Sequence, residues 1–158
     1  MSGIITDDRG HQDLFRIVDE LSRTSIWVGV LGEDKGGDMH QNADNMTVLD
    51  IAIIHEYGAP RANIPARSFI RKGFDKHRKA IENRVARGLE RVLSGKMALQ
   101  AFYDDVGRYA VIKFQQFLRS GEGMAPLKPE TIARKGHARP LLETRQLVNS
   151  ITYRVVRK

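Results

Sequence analysis

Apolar residues along this chain repeat with two different periods, and the switches between them mark its elements. Over residues 11–23, Leu14, Phe15, Ile17, Val18 and Leu21 recur at helical spacing, which predicts an amphipathic helix packing through one stripe. At 25–31 the period shortens: Ile26, Val28 and Val30 alternate with Ser25, Trp27 and Gly29, as in a strand with at least one buried face. Trp27 is then either a partner contact or part of a shielded second face. From Gly32 to Asn45 there is little to bury, so an exposed, mobile loop is expected; loops of this length are often functional.

A short helix follows. Thr47 and Asp50 have the spacing of a capping box, and Val48, Leu49, Ile51, Ala52, Ile53 and Ile54 make the next turns apolar on nearly every side, which predicts a buried helix. Gly58 stands where a left-handed C-terminal cap belongs, and Pro60 forbids continuation. Pro65 suits the first turn of the next helix, where its missing N–H has no partner to lose.

That next helix is predicted from Pro65 to Leu93, with Ile70, Phe74, His77, Ile81, Val85, Leu89 and Val92 along one stripe. His77 on this stripe reads as a core or boundary residue rather than a ligand. Gly73 and Gly88 weaken the helix, so each is expected to permit close packing or a bend. Its outer surface carries Arg71, Lys72, Lys76, Arg78, Lys79, Arg84, Arg87 and Arg91. Such a face is either solvated or turned toward acidic protein or DNA.

Ser94-Gly95 interrupts the pattern before a second long helix, Lys96 to Arg119. Leu99, Phe102, Val106, Tyr109, Ala110, Lys113, Phe114 and Phe117 form its stripe, and Ser120-Gly121 ends it. A short turn between two long helices predicts antiparallel packing. Residues 121–127 form a flexible connector, Pro129 opens a short helix closed by Gly136, and Leu141 to Asn149 reads as a turn and short helix. Ser150 to Val156 is a strand expected to pair with 25–31. The elements amount to an α+β fold, predominantly helical: one domain over 1–158 with two long antiparallel helices and a small antiparallel sheet formed by the N- and C-terminal strands.

Composition alters this picture little. The 158 residues are long enough for one real core, and the absence of cysteine excludes disulfides and thiol chemistry. No stretch has the length of an apolar membrane span, and the N-terminus lacks a signal-peptide core, so a cytoplasmic origin is expected. Charge distribution says more than the net +7. Residues 1–60 hold 4 basic and 11 acidic residues, whereas 61–91 hold 10 basic and 3 acidic. Opposite ends of this kind attract either within one molecule or between copies.

Catalytic chemistry is hard to place on this chain. His55-Glu56 begins a metalloprotease-like H-E-x-x-H, but Ala59 stands where the second histidine belongs and Gly58 ends the helix. Asp104 and Asp105 are adjacent on a helix and point apart, a poor acid–base pair. His55 and Glu56 are instead expected to cap or brace the Gly58 corner with Arg67 or Arg71. No catalytic, metal-binding or cofactor-binding residue is assigned.

The stretch ending His55-Glu56-Tyr57-Gly58, followed by a short loop and Ile64-Pro65-Ala66-Arg67-Ser68-Phe69-Ile70-Arg71, resembles the signature of phage virion morphogenesis and tail-completion proteins. These are small neck components at the head–tail joint. A second block continues the resemblance, with Pro126-Leu127, Pro129 to Gly136, Pro140 to Leu147 and Asn149 to Tyr153. The family usually has Pro where Ser68 stands and commonly Gly where Arg145 stands. The resemblance covers about residues 25 to 156 in two ordered blocks.

It implies a non-enzymatic structural virion component that completes the tail and joins it to the DNA-filled head. The implied partners are further copies in a ring, six-fold or a multiple, the phage connector or head-closure protein, and a tail terminator or tube protein. Genomic DNA threading the ring is a further one; a membrane and a cofactor are not. Arg61, Arg67, Arg71, Arg134, Lys135 and Arg139 are the expected interface charges, with 32–45 as a contact segment ordered by a neighbour. The alternative from residues alone is a basic, non-sequence-specific nucleic-acid-binding protein, consistent with pI ≈ 9.9.

Overall fold

Two strands from opposite ends of the chain close the fold over a helical hairpin, in a computed structural model that describes residues 9–34, 37–39, 45–124, 129, 132–133 and 145–158. Helix α1 (Arg9–Arg23) runs directly into β1 (Thr24–Val30). Then come α2 (Val48–Tyr57), a 3-10 turn (Pro60–Ala62), α3 (Phe69–Leu93), α4 (Leu99–Ser120), the single turn α5 (Gln146–Asn149) and β2 (Ile151–Arg157). β1 and β2 pair antiparallel, with Val28 opposite Tyr153 and Val30 opposite Ile151. The fold is therefore the expected α+β arrangement, with two long helices and a sheet made from the terminal strands.

The hairpin α3–α4 is the centre of the packing. Gly73 faces the Phe117 ring and Gly88 faces the Phe102 ring, which sets the two helices antiparallel. A Cβ at Gly88 would lie 2.5 Å from the Phe102 ring, so the close approach expected of this glycine is a requirement of the packing. α4 fills the interior with Phe102, Tyr103, Val106, Ala110, Phe114, Phe117 and Leu118. Two clusters result. One joins Val48 and Ala52 of α2, Phe69 of α3, Phe114 and Leu118 of α4, and Leu147, Val148 and Ile151. The other joins Val92, Phe102, Tyr103 and Val106, with Ile17, Leu21, Val85, Leu89 and Val155 packed against them.

Several expectations need correction. α3 begins at Phe69, not Pro65, because its first turn is capped from another helix, as described below. Phe74 lies toward solvent at 39 % exposure, since Phe69 and Gly73 form the inward edge of the first turns. α2 is buried only through Val48 and Ala52; Ile53 and Tyr57 are exposed. Trp27 is 56 % exposed, so the second face of β1 is not shielded at this position. On α1 the stripe splits: Ile17 and Leu21 pack inward, while Leu14, Phe15 and Val18 are 44 %, 71 % and 52 % exposed.

The described parts of 32–45 are exposed but tied down. Asp38 accepts the Val48 N–H at 2.9 Å, Met39 bridges to Thr47, and the Gln146 side chain donates to the Met39 carbonyl at 2.8 Å. Arg154 pairs with Glu33 and Asp34, and Arg157 with Glu20, so part of the attraction between acidic and basic segments is satisfied inside the molecule. In the 121–127 connector, the described residues make turns closed by Met124 N–H to Gly121 and by Lys72 to the Gly123 carbonyl.

Candidate functional site

The corner between α2 and α3 begins with the predicted capping box. The Thr47 hydroxyl accepts the Asp50 N–H at 3.1 Å, and the Asp50 carboxylate accepts the Thr47 N–H at 2.9 Å. The Thr47 hydroxyl also donates to Asp50, and this holds the Asp50 pKa below the ordinary aspartate value. At the other end Gly58 has φ 78° and ψ 168°, a conformation open to glycine rather than the expected left-handed helical cap. A Cβ there would lie 2.8 Å from the Ala66 nitrogen, so the returning strand of chain presses directly on Gly58.

Glu56 ties the corner together. Its carboxylate accepts from the Ser68 hydroxyl at 2.5 Å, the Ile70 N–H at 2.9 Å and the Arg71 N–H at 3.2 Å. These are orphan donors of the first turn of α3, and a negative charge at a helix N-terminus is favourable. Ser68 makes no side-chain cap of its own, and its third helical position is Arg71 where a capping box needs an acid. The cap therefore comes from α2. The His55 carbonyl accepts the Arg67 N–H at 2.6 Å, completing the brace. Sequence reasoning placed His55 and Glu56 at this corner with Arg67 or Arg71, and both arginines are bonded there through their main-chain N–H groups.

Arg61 and Arg71 are exposed at the corner, whereas Arg67 is 8 % exposed and burial pushes its guanidinium pKa down. Arg134, Lys135 and Arg139 lie outside the described residues. Beside the corner runs a cleft of about 360 Å³, walled by Val28 and Val30 of β1, Leu49, Ile53 and Tyr57 of α2, and Ile70 and Arg71 of α3. The sheet has two strands, so the edge of β1 away from β2 is unpaired among the described residues. Sequence periodicity did not reveal this cleft, because it forms between elements distant in the chain.

The basic side of the hairpin has a different character. Lys76 pairs with Glu122, Arg78 and Lys79 approach Glu82, and Arg84 holds Asp105 in a two-pronged contact. Arg84 thereby pushes the Asp105 pKa down, while the neighbouring Asp104 accepts the Tyr153 hydroxyl at 3.1 Å. The two aspartates serve separate partners. Arg84 and Lys113 each lie 5.3 Å from the Tyr109 ring centre. His77 is half-buried, and burial first, then Lys113 and Lys76, lowers its pKa.

Among the described residues no group of three or more His, Asp or Glu is placed to hold a metal ion, and no helix is long and apolar enough to cross a membrane. In comparisons with protein-family models, curated proteins and solved structures, nothing matches this chain.

Proposed function

We propose that this chain is a structural component of a tailed-phage neck, acting in a ring that completes the tail and joins it to the DNA-filled head. The observation that supports this reading most is where the two resembling blocks meet. Val48, Ala52 and Phe69 of the first pack in one cluster with Leu147 and Ile151 of the second. The two blocks, roughly 80 to 100 residues apart in this chain at these positions, thus share one core. Arg145 adds to it: at φ 56° and ψ 0° it occupies a left-handed conformation, the natural place for the glycine common in the family.

In this role the protein works by contact rather than catalysis. The Glu56 cap fixes α3 against α2, and the exposed Arg61 and Arg71 beside the cleft present charge to a neighbour. The connector or head-closure protein would dock on one side of the ring and the tail terminator or tube protein on the other. Electron microscopy of particles made without this chain tests the proposal. Separate filled heads and finished tails are expected; joined, normal virions would overturn it.

A second reading, non-sequence-specific binding of nucleic acid, is favoured by the Tyr109 ring of α4, which both Arg84 and Lys113 approach beside the basic side of the hairpin. Steep loss of duplex binding with rising salt is its test.

A further inference from the structure

We propose that the cleft beside β1 receives an extended segment of another protein, which adds a third strand to the sheet and sets a carboxylate against Arg71. Such a site deepens the neck reading and rests on it for the identity of the chain that supplies the segment.

Val28, Gly29, Val30 and Leu31 line the cleft in succession, although the side chains of a strand alternate between its two faces. No residue of β2 lines it, so the cleft follows the edge of β1 away from β2. In an antiparallel ladder about half of a strand's residues turn their N–H and C=O groups away from the partner strand. Among the described residues, Ser25 to Val30 make no main-chain hydrogen bond outside the pairing with β2. A row of groups at this spacing is matched by another extended main chain. β1, with the sequence TSIWVGV, also lacks the charges and proline that commonly keep an edge from pairing. Gly29 clears the middle of this wall: the nearest group to where its Cβ would stand is Ile70, at 4.0 Å. Glycine inside a strand admits a second backbone at close range.

The other walls define the side chains of the occupant. Leu49, Ile53, Tyr57 and Ile70 are apolar, and a volume of about 360 Å³ receives a few apolar side chains, those on one face of the added strand. Two charged residues also line the cleft. Glu56 is occupied by the Ser68 hydroxyl and the Ile70 and Arg71 N–H groups, whereas the Arg71 side chain is exposed and makes no ion pair among the described residues. The unmatched charge is therefore positive, and a carboxylate on the segment complements it in two-pronged geometry. Neither strand of a second copy supplies that group, because Thr24–Val30 and Ile151–Arg157 contain no acidic residue. The occupant is thus a segment of a different protein, extended, with apolar residues at alternate positions and an Asp or Glu beside them.

The probe is a library of random decapeptides selected on the full-length protein. Enriched peptides are expected to alternate apolar residues and to carry an acid, and a synthetic copy of one should slow amide exchange along residues 25–31. Methylating alternate backbone nitrogens of that peptide removes the donors that face β1 while keeping every side chain, and should weaken binding by at least about 10-fold. Arg71→Glu, folded by circular dichroism, should lose about 10-fold for the acidic peptide and recover it for the version with lysine in place of the acid. No enrichment, or binding indifferent to both N-methylation and Arg71→Glu, would overturn the proposal. Self-association that shields 25–31 without peptide would put a second copy in the cleft and overturn it likewise. Particle morphology separates this site from the joining role. Peptide binding with normal virions made without the chain would uphold the strand site alone, whereas unjoined heads and tails with no peptide binding would uphold joining and overturn the strand site.

Discussion

α1 and α4 carry the same kind of apolar stripe, yet one is covered and the other is not. On α4 the stripe is closed over by α3 and the sheet, so Phe114 and Phe117 are each 4 % exposed. On α1 half of the stripe packs and half, around Phe15, faces outward. The comparison teaches that periodicity states which face a helix can bury, whereas topology decides what is available to bury it. α4 sits inside a hairpin formed by its sequence neighbour. α1 reaches the cluster of Val92, Phe102, Tyr103 and Val106 through Ile17 and Leu21 alone, and among the described residues nothing covers Leu14, Phe15 and Val18.

This contrast can be tested by truncating the same residue type in each helix. Phe114→Ala should cost about 3–5 kcal/mol in urea unfolding, through lost transfer and an unfilled cavity. Loss below about 1 kcal/mol would show that α4 is less enclosed than the structure has it. Between the two regions lies the Glu56 cap. Glu56→Ala should cost about 1–2 kcal/mol, because it strips the first turn of α3 of acceptors and of favourable charge. Glu56→Gln should retain part of this, and equal loss in both variants would indicate that the charge carries the effect.

Arg145→Gly is expected to stabilise by about 0.5–1 kcal/mol, since glycine accepts the left-handed conformation without a Cβ penalty. A drop in stability would mean that the arginine side chain contributes more than its backbone costs. Acid sharpens the comparison further. The Asp105 pKa is held below its ordinary value of 3.8 by Arg84, so this pair stabilises fully above that value. Its contribution is lost as pH falls through the lower, folded value, because the unfolded chain takes up the proton first. An Arg84→Met variant should therefore lose less stability than the parent below pH 3.8. The smallest expected effect is at the open stripe. Phe15→Ala should change the stability of the isolated chain by no more than about 0.5 kcal/mol.

Much of the fold was legible because its signals are local. The Thr47–Asp50 capping box, the two strands, and the glycines at 73 and 88 are read from residues close in sequence, and the structure uses them as expected; the burial alternation expected of β1 is not seen, since Gly29 is its one buried residue. The misplaced start of α3 has the opposite cause. Pro65 is a good first-turn residue, but Glu56 supplies a stronger anchor at Ser68, Ile70 and Arg71, and no local pattern carries that information. Tyr103 was passed over for the same reason, being enclosed at 2 % exposure by packing beyond its own stripe. Of the candidate charges, the sequence could not separate Arg67, folded into the corner, from Arg61 and Arg71 at its surface. The cleft depends on three elements meeting and has no signal in any one of them.

The pairing of β1 with β2 also bears on how the chain is made. Residues 24–30 wait for 151–157, a separation that puts the sheet among the slowest contacts to form. β2 leaves the ribosome after every other described element, while α2 and the α3–α4 hairpin can form from contacts much nearer in sequence. Until β2 arrives, β1 has no partner strand to hold it as one wall of the cleft. Synthesis itself thus acts as a timer: the β1 wall of the cleft is secured only once residues 151–157 have been made.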